Sequence, residues 1–197
     1  MKYLLMDTST NQMVLMLQTP NETLDKETRI GKSDHQAYII PLIDTLLKRN
    51  QLELKDLDGI VVGIGPGSYT GLRVGLMTAK MLSYATGIKL YQISSLAFLS
   101  SGYDDERLVW HDAKNNQGFS GYFKEAKLTK EERVRDLDKL STDDLNILLT
   151  ITPETIQIDG TRVIQHMKEV LDVYNIVPNY LRKTEAEHKL DQTSTSK

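Results

Sequence analysis

A glycine-rich segment, residues 63–73 with the sequence GIGPGSYTGLR, has residue types and spacing that resemble those of a phosphate-binding loop. An apolar run precedes it at residues 59–62, and a helix-like run follows it at residues 72–86. Proteins use a strand, a glycine loop and a helix in this order to bind phosphate through backbone N–H groups at the helix start. The segment therefore raises the question of a nucleotide site.

The spacing of the segment departs from both standard phosphate-binding motifs. A P-loop needs a lysine beside its last glycine, whereas the nearby cation here is Arg73, one turn into the predicted helix. A dinucleotide fingerprint needs a third glycine where Ser68 stands. Backbone N–H groups leave weak nucleotide binding open, but the residues alone favour a tight turn that needs positive φ at glycine. The candidates for weak nucleotide contact are Asp7, Gly65, Gly67, Ser68 and Arg73.

A stripe of small side chains marks the helix that follows the loop. Residues 71, 75, 79 and 83 are Gly, Gly, Ala and Ser, and their four-residue spacing places them on one face. Apolar bulk beside the stripe comes from Leu72, Leu76, Met77, Met81 and Tyr84. Such a stripe either packs closely on the protein's own sheet or accepts a partner helix, and the sequence leaves both interpretations open.

The turn after the first predicted strand is Asp7-Thr8-Ser9-Thr10. Actin-like ATPases place an aspartate and a glycine-containing turn at this point to approach phosphate and metal. Here the glycine is missing, so Asp7 is equally well explained as a turn-capping residue.

Composition excludes several classes of function. The 197 residues carry a net charge of −3 and no cysteine, so thiolate metal sites, disulfides and thiol nucleophiles are absent, and nothing indicates unaided binding to nucleic acid. The four histidines form no i, i+4 pair, which leaves a zinc protease site without support. His35, at a predicted helix start, is interpreted as a surface or capping residue. No apolar run approaches the length of a membrane span and no secretory signal is present, so we expect a cytoplasmic protein.

Hydrophobic periodicity predicts the elements that position these residues. For the first half, the pattern predicts strands at 3–6, 14–17 and 23–29, followed by a helix capped by Ser33 or Asp34. It then predicts a strand at 59–64, a helix at 72–86, a strand at 89–93 and a short helix ending at 99. The second half predicts strands at 108–110, 119–123, 145–150 and 156–158, then a helix at 161–174. A composition shift near residue 102 divides the chain into subdomains 1–102 and 103–197.

The most specific stretch of sequence is residues 62–75, VGIGPGSYTGLRVG, supported by residues 4–9 (LLMDTS), 42–47 (LIDTLL) and 93–96 (ISSL). With these stretches the chain resembles the TsaB (also YeaZ) family, the dimerisation subunit of the bacterial tRNA threonylcarbamoyladenosine synthesis complex. The resemblance covers nearly all of residues 1–100. It is weaker beyond, at residues 112–114 (DAK), 159–160 (DG) and 180–182 (YLR).

The resemblance implies an α/β, actin-like fold with two mixed-sheet subdomains, of which the second is reduced. It implies a non-catalytic subunit that pairs with the catalytic paralogue TsaD, with the ATPase TsaE joining the assembly and tRNA reached mainly through the complex. Alone, such a chain forms a homodimer. No metal, membrane or cofactor of its own is implied, and ATP or ADP at the interface with the partner is left open.

The two helices of the first subdomain are the expected pairing face. The predicted contact residues are Tyr38, Leu42, Leu46, Leu72, Gly75, Leu76 and Ala79. Gly75→Arg is then predicted to abolish pairing while the fold is retained. Two other functions stay open, an ATP-dependent small-molecule kinase of the same fold and a stand-alone regulatory homodimer.

Overall fold

The computed structural model describes residues 1–32 and 34–181 and contains two sheets. The strands are β1 Tyr3–Asp7, β2 Gln12–Gln18, β3 Thr23–Ile30, β4 Gly59–Gly63, β5 Lys89–Ile93, β6 Arg107–Asp112, β7 Gln117–Lys124, β8 Lys127–Asp136, β9 Leu148–Thr150 and β10 Lys168–Glu169. The helices are α1 His35–Arg49, α2 Tyr69–Thr86, α3 Ser95–Leu99, α4 Thr142–Asn146 and α5 Gly160–His166. The predictions for Ser33, Arg182 and His188 lie outside the described residues.

The first sheet has six strands in the order β10-β5-β4-β1-β2-β3. Strands β1, β2 and β3 form the predicted antiparallel meander, while β1, β4 and β5 run parallel. Successive residues of β1 and β4 enter two different cores, because Leu4 and Ile60 lie in one cluster and Leu5 and Val61 in the other. These strands read as unbroken apolar runs because both faces of the sheet are covered.

Helix α2 is capped at both ends by residues that favour helix termini. Ser68 occupies the N-cap, and its Oγ accepts a hydrogen bond from the Gly71 N–H at 3.3 Å. Gly87 ends the helix with φ of +74°, as predicted for a C-terminal glycine. In α1, Asp34 takes the N-cap position, but its carboxylate pairs with Arg29 of β3 rather than with the helix N–H groups.

The second sheet has four strands in the order β8-β7-β6-β9. The sequence prediction missed β8, because its residues KLTKEERVRD are mostly charged and lack apolar alternation. Strand β8 lies at the edge of the sheet with most side chains exposed, where charged residues are tolerated. The strand predicted at 145–150 is wrong in its first part, because Ser141 caps helix α4, and the strand predicted at 156–158 is absent.

The helix predicted over residues 161–174 is confirmed over residues 161–166 and wrong beyond them. Helix α5 ends at His166, and β10 then pairs with β5 at the edge of the first sheet. Residues 170–181, here called the C-terminal strap, continue over the first subdomain without forming a helix or strand. The second sheet is formed by strands between residues 107 and 150, and the chain pairs again with the first sheet at residue 168. No helix in the described ranges is both long and apolar enough to cross a bilayer.

Candidate functional site: a sealed turn and an apolar helix face

The turn after β1 is enclosed by protein. Asp7 and Ser9 have no exposed surface, and Thr8 is 1% exposed. The Asp7 Oδ1 accepts hydrogen bonds from the Ser9 N–H at 2.8 Å and the Ser9 hydroxyl at 2.6 Å. The Asp7 Oδ2 has no hydrogen-bond partner among the described residues. Burial raises the pKa of Asp7, and the hydrogen bonds from Ser9 offset only part of that effect.

The glycine loop is the element that encloses this turn. The Ser68 N–H donates to the Ser9 carbonyl at 2.7 Å, and the Thr8 hydroxyl donates to the Gly71 carbonyl at 2.7 Å. A Cβ on Gly71 would lie 2.0 Å from the Thr8 carbonyl oxygen, and one on Gly67 would lie 2.6 Å from the Ser9 carbonyl oxygen. These contacts place the glycine loop directly on the turn and cover the Asp7 side chain.

The other nucleotide candidates have structural partners of their own. Gly65 has φ of +108°, which explains its glycine, and its N–H donates to the Ser95 hydroxyl at 2.9 Å. Arg73 faces the C-terminal strap, where its Nε donates to the Tyr180 hydroxyl at 3.1 Å and its guanidinium lies 4.1 Å from the Tyr69 ring centre. The predicted set is therefore not gathered around one open cavity.

A polar cleft of about 390 Å³ lies between the start of α1, the start of α2 and β6, and Thr10, Ser68 and Gly71 line part of it. His35 lines it and is 4% exposed, so the interpretation of His35 as a surface residue is wrong. Its Nε2 lies 2.9 Å from the Thr10 carbonyl oxygen, which can only accept, so Nε2 carries the proton. His111 lines the same cleft, and burial lowers the pKa of its imidazole.

The small stripe on α2 faces the protein's own sheet. Gly71, Gly75, Ala79 and Ser83 are all buried. A Cβ on Gly75 would lie 2.3 Å from Thr8 Oγ1, and the Ser83 hydroxyl donates to the Ile88 carbonyl at 2.7 Å. Of the two interpretations of this stripe, internal packing is confirmed. Gly75→Arg would drive a long side chain into the β1 turn, so the expectation that this variant keeps the fold is corrected.

Five of the seven predicted contact residues lie in the core. Leu46, Leu72, Gly75, Leu76 and Ala79 are buried. Leu42 is half-buried against the core of the first sheet. Tyr38 is exposed, but it lies on the β3 side of α1, with the Arg29 guanidinium 3.6 Å from its ring centre. Contact between these helices and a partner stays a prediction, and Tyr38 is the exposed member of the predicted set.

Four exposed apolar residues of the helix pair, Ile40, Met77, Met81 and Tyr84, are here called the apolar face. Met77, Met81 and Tyr84 are 57%, 64% and 71% exposed. A groove of about 610 Å³ runs between α1, α2 and the C-terminal strap, with Ile40, Met77 and Met81 in its walls. The sequence signal was the Met77–Met81 spacing beside the small stripe, whereas Ile40 stands outside the apolar stripe of α1.

Comparisons with known proteins relate this arrangement to a family. The family model described as TsaD, tRNA N6-adenosine threonylcarbamoyltransferase, matches residues 29–159, which is more than half of the chain. A TsaB protein of Bacillus subtilis, described as a tRNA threonylcarbamoyladenosine biosynthesis protein, is 28% identical over 223 aligned positions that cover 96% of this chain and 97% of that one. The chain belongs to the TsaD family, in its TsaB (YeaZ) branch.

The fold of the chain is similar to that of solved YeaZ structures. A solved structure named YeaZ, from Pseudomonas aeruginosa, superposes with a TM-score of 0.73 at 18% identity, covering 91% of this chain and 99% of that one. A second structure from that organism, described as similar to peptidase YeaZ, has a TM-score of 0.75. The predicted actin-like α/β fold is confirmed. A threonylcarbamoyltransferase of Tropheryma whipplei is 36% identical over 106 residues, covering 51% of this chain and 26% of that one.

Proposed function

We propose that the chain takes part in tRNA threonylcarbamoyladenosine biosynthesis as a non-catalytic subunit. In this proposal it pairs with a TsaD-type catalytic paralogue and supports threonylcarbamoylation of the adenosine next to the tRNA anticodon. The observation that carries the proposal is the apolar face of α1 and α2, which residues 1–32 and 34–181 leave exposed.

An uncovered patch of this kind favours a protein interface. Three large apolar side chains of α2 are more than half exposed although the same helix buries its opposite side completely against the sheet. Clustered exposed apolar residues mark interaction sites more often than isolated ones do. Methionines at positions 77 and 81 suit a surface that must adapt to another helix.

A catalytic paralogue is the partner that sequence similarity favours. The T. whipplei transferase matches about half of this chain, so the family shares this portion of its sequence. A paralogue can present an equivalent helix pair across a pseudo-twofold axis, and two helices from each chain would then form a four-helix interface. In the absence of the paralogue, this proposal has the lone chain pair with a second copy through the same face.

The sealed turn supports a non-catalytic role. The kinase alternative needs an aspartate that reaches phosphate or metal, and here the Asp7 side chain is buried beneath the glycine loop. ATP or ADP, if bound, would then sit at the interface with the partner. A TsaE-type ATPase joins the assembly in this proposal, and tRNA is held mainly by the partners because this chain has a net charge of −3.

Calorimetric titration of the purified chain with the purified transferase subunit of the same cells tests the proposal. Met81→Asp places a charge in the apolar face, and Leu145→Asp, at a residue 51% exposed on α4, is the matched control. We expect binding by the wild type and the control, and at least ~10-fold weaker binding by Met81→Asp. Equal affinities of the two variants would refute the apolar face as the pairing surface.

A further inference from the structure

The C-terminal strap has an inward side that packs on the core of the first sheet and an outward side that is exposed. Val173 and Ile176 point inward and pack against the core of the first sheet. Tyr174 and Val177 alternate with them, point outward, and are 72% and 69% exposed. The inward residues account for the position of the strap, but nothing within the described residues covers the outward ones.

The outward residues are held in fixed positions on α2. The Lys80 Nζ donates to the carbonyl oxygens of Tyr174 at 2.7 Å and Ile176 at 3.3 Å. Further along, the Asn179 N–H donates to the Ile64 carbonyl at 2.7 Å. The Tyr174 ring also packs edge-on against Tyr84 of α2, with 5.6 Å between ring centres. A side chain on such a strap meets a partner with little ordering cost.

Two grooves join the strap to the apolar face. The groove of about 610 Å³ is walled by Ile40 and Met77 on one side and by Val177 and its neighbours on the other. A second groove of about 170 Å³ lies between α2 and the strap, beside Tyr84 and Tyr174. Met81 lines both grooves, so they form one continuous apolar surface.

The charges at these grooves have one sign. Arg73 and Lys80 line them, and within the described part of the chain no acidic side chain does so. This bias is opposite to the net charge of −3 of the whole chain. Interfaces place carboxylates opposite such cations, because complementary potentials speed association and reject wrong partners.

We propose that the C-terminal strap is the third element of the docking surface, together with α1 and α2. The occupant is the catalytic paralogue of the proposed function, on which this inference rests. Its facing surface is apolar, inserts side chains into the two grooves, and carries carboxylates at the rim opposite Arg73 and Lys80. Val177 and Tyr174 touch the partner directly.

Calorimetry with the purified transferase subunit separates this inference from the function on which it rests. The strap variant is Val177→Asp, with Tyr174→Ser as a second substitution of the outward side. Leu171→Asp is the matched control, because Leu171 is 92% exposed on the same strap and lines neither groove. Circular dichroism melting checks that all variants stay folded.

We expect Val177→Asp and Tyr174→Ser each to weaken binding at least ~10-fold, while Leu171→Asp stays within about twofold of the wild type. We also expect the dissociation constant of the wild type to rise with added NaCl. If Met81→Asp loses binding but both strap variants match the Leu171→Asp control, the strap inference is wrong and the proposed function stands. Absence of binding by the wild type would overturn the proposed function and the inference together.

Discussion

Replacing Gly75 by alanine should destabilise the protein without touching the apolar face. An added Cβ would stand 2.3 Å from Thr8 Oγ1, and real Cβ atoms keep more than 3.0 Å from such a neighbour. The Thr8 hydroxyl must therefore move, and it then loses its 2.7 Å hydrogen bond to the Gly71 carbonyl. The perturbation falls on the contact that joins α2 to the β1 turn.

The size of the effect follows from three contributions. Overpacking of a close contact costs about 1–3 kcal/mol, and the lost hydrogen bond costs about 0.5–1.5 kcal/mol. Alanine returns about 1 kcal/mol through its higher helix propensity. The expected net loss is about 2 kcal/mol, which lowers the melting temperature of a chain of this size by roughly 4–8 °C.

A double-mutant cycle with Thr8→Ala, measured by thermal or urea unfolding, tests this reasoning. Thr8→Ala removes the atom that the new Cβ meets, so Gly75→Ala should cost less in that background, with a coupling energy of about 1 kcal/mol. Met77→Ala is the control on the exposed side of the same helix and should change stability by less than about 0.5 kcal/mol. An unchanged melting temperature for Gly75→Ala, or equal effects in both backgrounds, would refute internal packing of the small stripe.

Three further predictions concern the sealed turn and the subdomain junction. Burial raises the pKa of Asp7 above its ordinary 3.8, so ionisation of Asp7 destabilises the folded protein as pH rises from 3.8 to the folded-state pKa. In urea melts, Asp7→Asn should therefore be more stable than the wild type at pH 7, and the difference should shrink near pH 4. A variant less stable than the wild type at pH 7 would contradict this. ATP with Mg²⁺ should leave the melting temperature of the lone chain unchanged in a thermal-shift assay, whereas a saturable rise would show an open nucleotide site. The Arg162 guanidinium donates to the carbonyls of Ser101 at 3.1 Å and Tyr103 at 3.3 Å in the connection between the sheets. Arg162→Ala should therefore lower the free energy of unfolding, measured by chemical denaturation, by about 1–3 kcal/mol. An unchanged free energy of unfolding would refute this role of Arg162.

Periodicity could predict the first half of the chain because its elements are strongly patterned. The apolar runs of β1 and β4 and the capping residues Ser68 and Gly87 of α2 are recognisable in the sequence itself. The second half could not be predicted to the same depth, because its elements depend on tertiary pairing. Strand β8 is charged and is held by β7, and the helical pattern after residue 166 yields to pairing between β10 and β5.

The site was predicted by region but not by residue. The sequence identifies α2 as a helix with a stripe of small residues and apolar residues beside it. It does not show whether the small stripe or the apolar residues pack against the sheet. Thr8 decides this, because its carbonyl and hydroxyl fit against Gly71 and Gly75. The strap escaped prediction although Asp172 and Pro178 indicate turns. In the structure the Asp172 carboxylate accepts from the backbone N–H groups of Tyr174 and Asn175, which ends any helix there.

Reconstituted threonylcarbamoylation of tRNA, with and without this chain, tests the central claim most directly. The assay combines the purified transferase subunit and its ATPase with wild-type chain, Met81→Asp or Asp7→Asn. The account predicts that modification requires the chain, is lost with Met81→Asp and is retained with Asp7→Asn, because the chain acts through its apolar face and not through a nucleotide site of its own. Full modification with Met81→Asp, or loss with a folded Asp7→Asn, would contradict it.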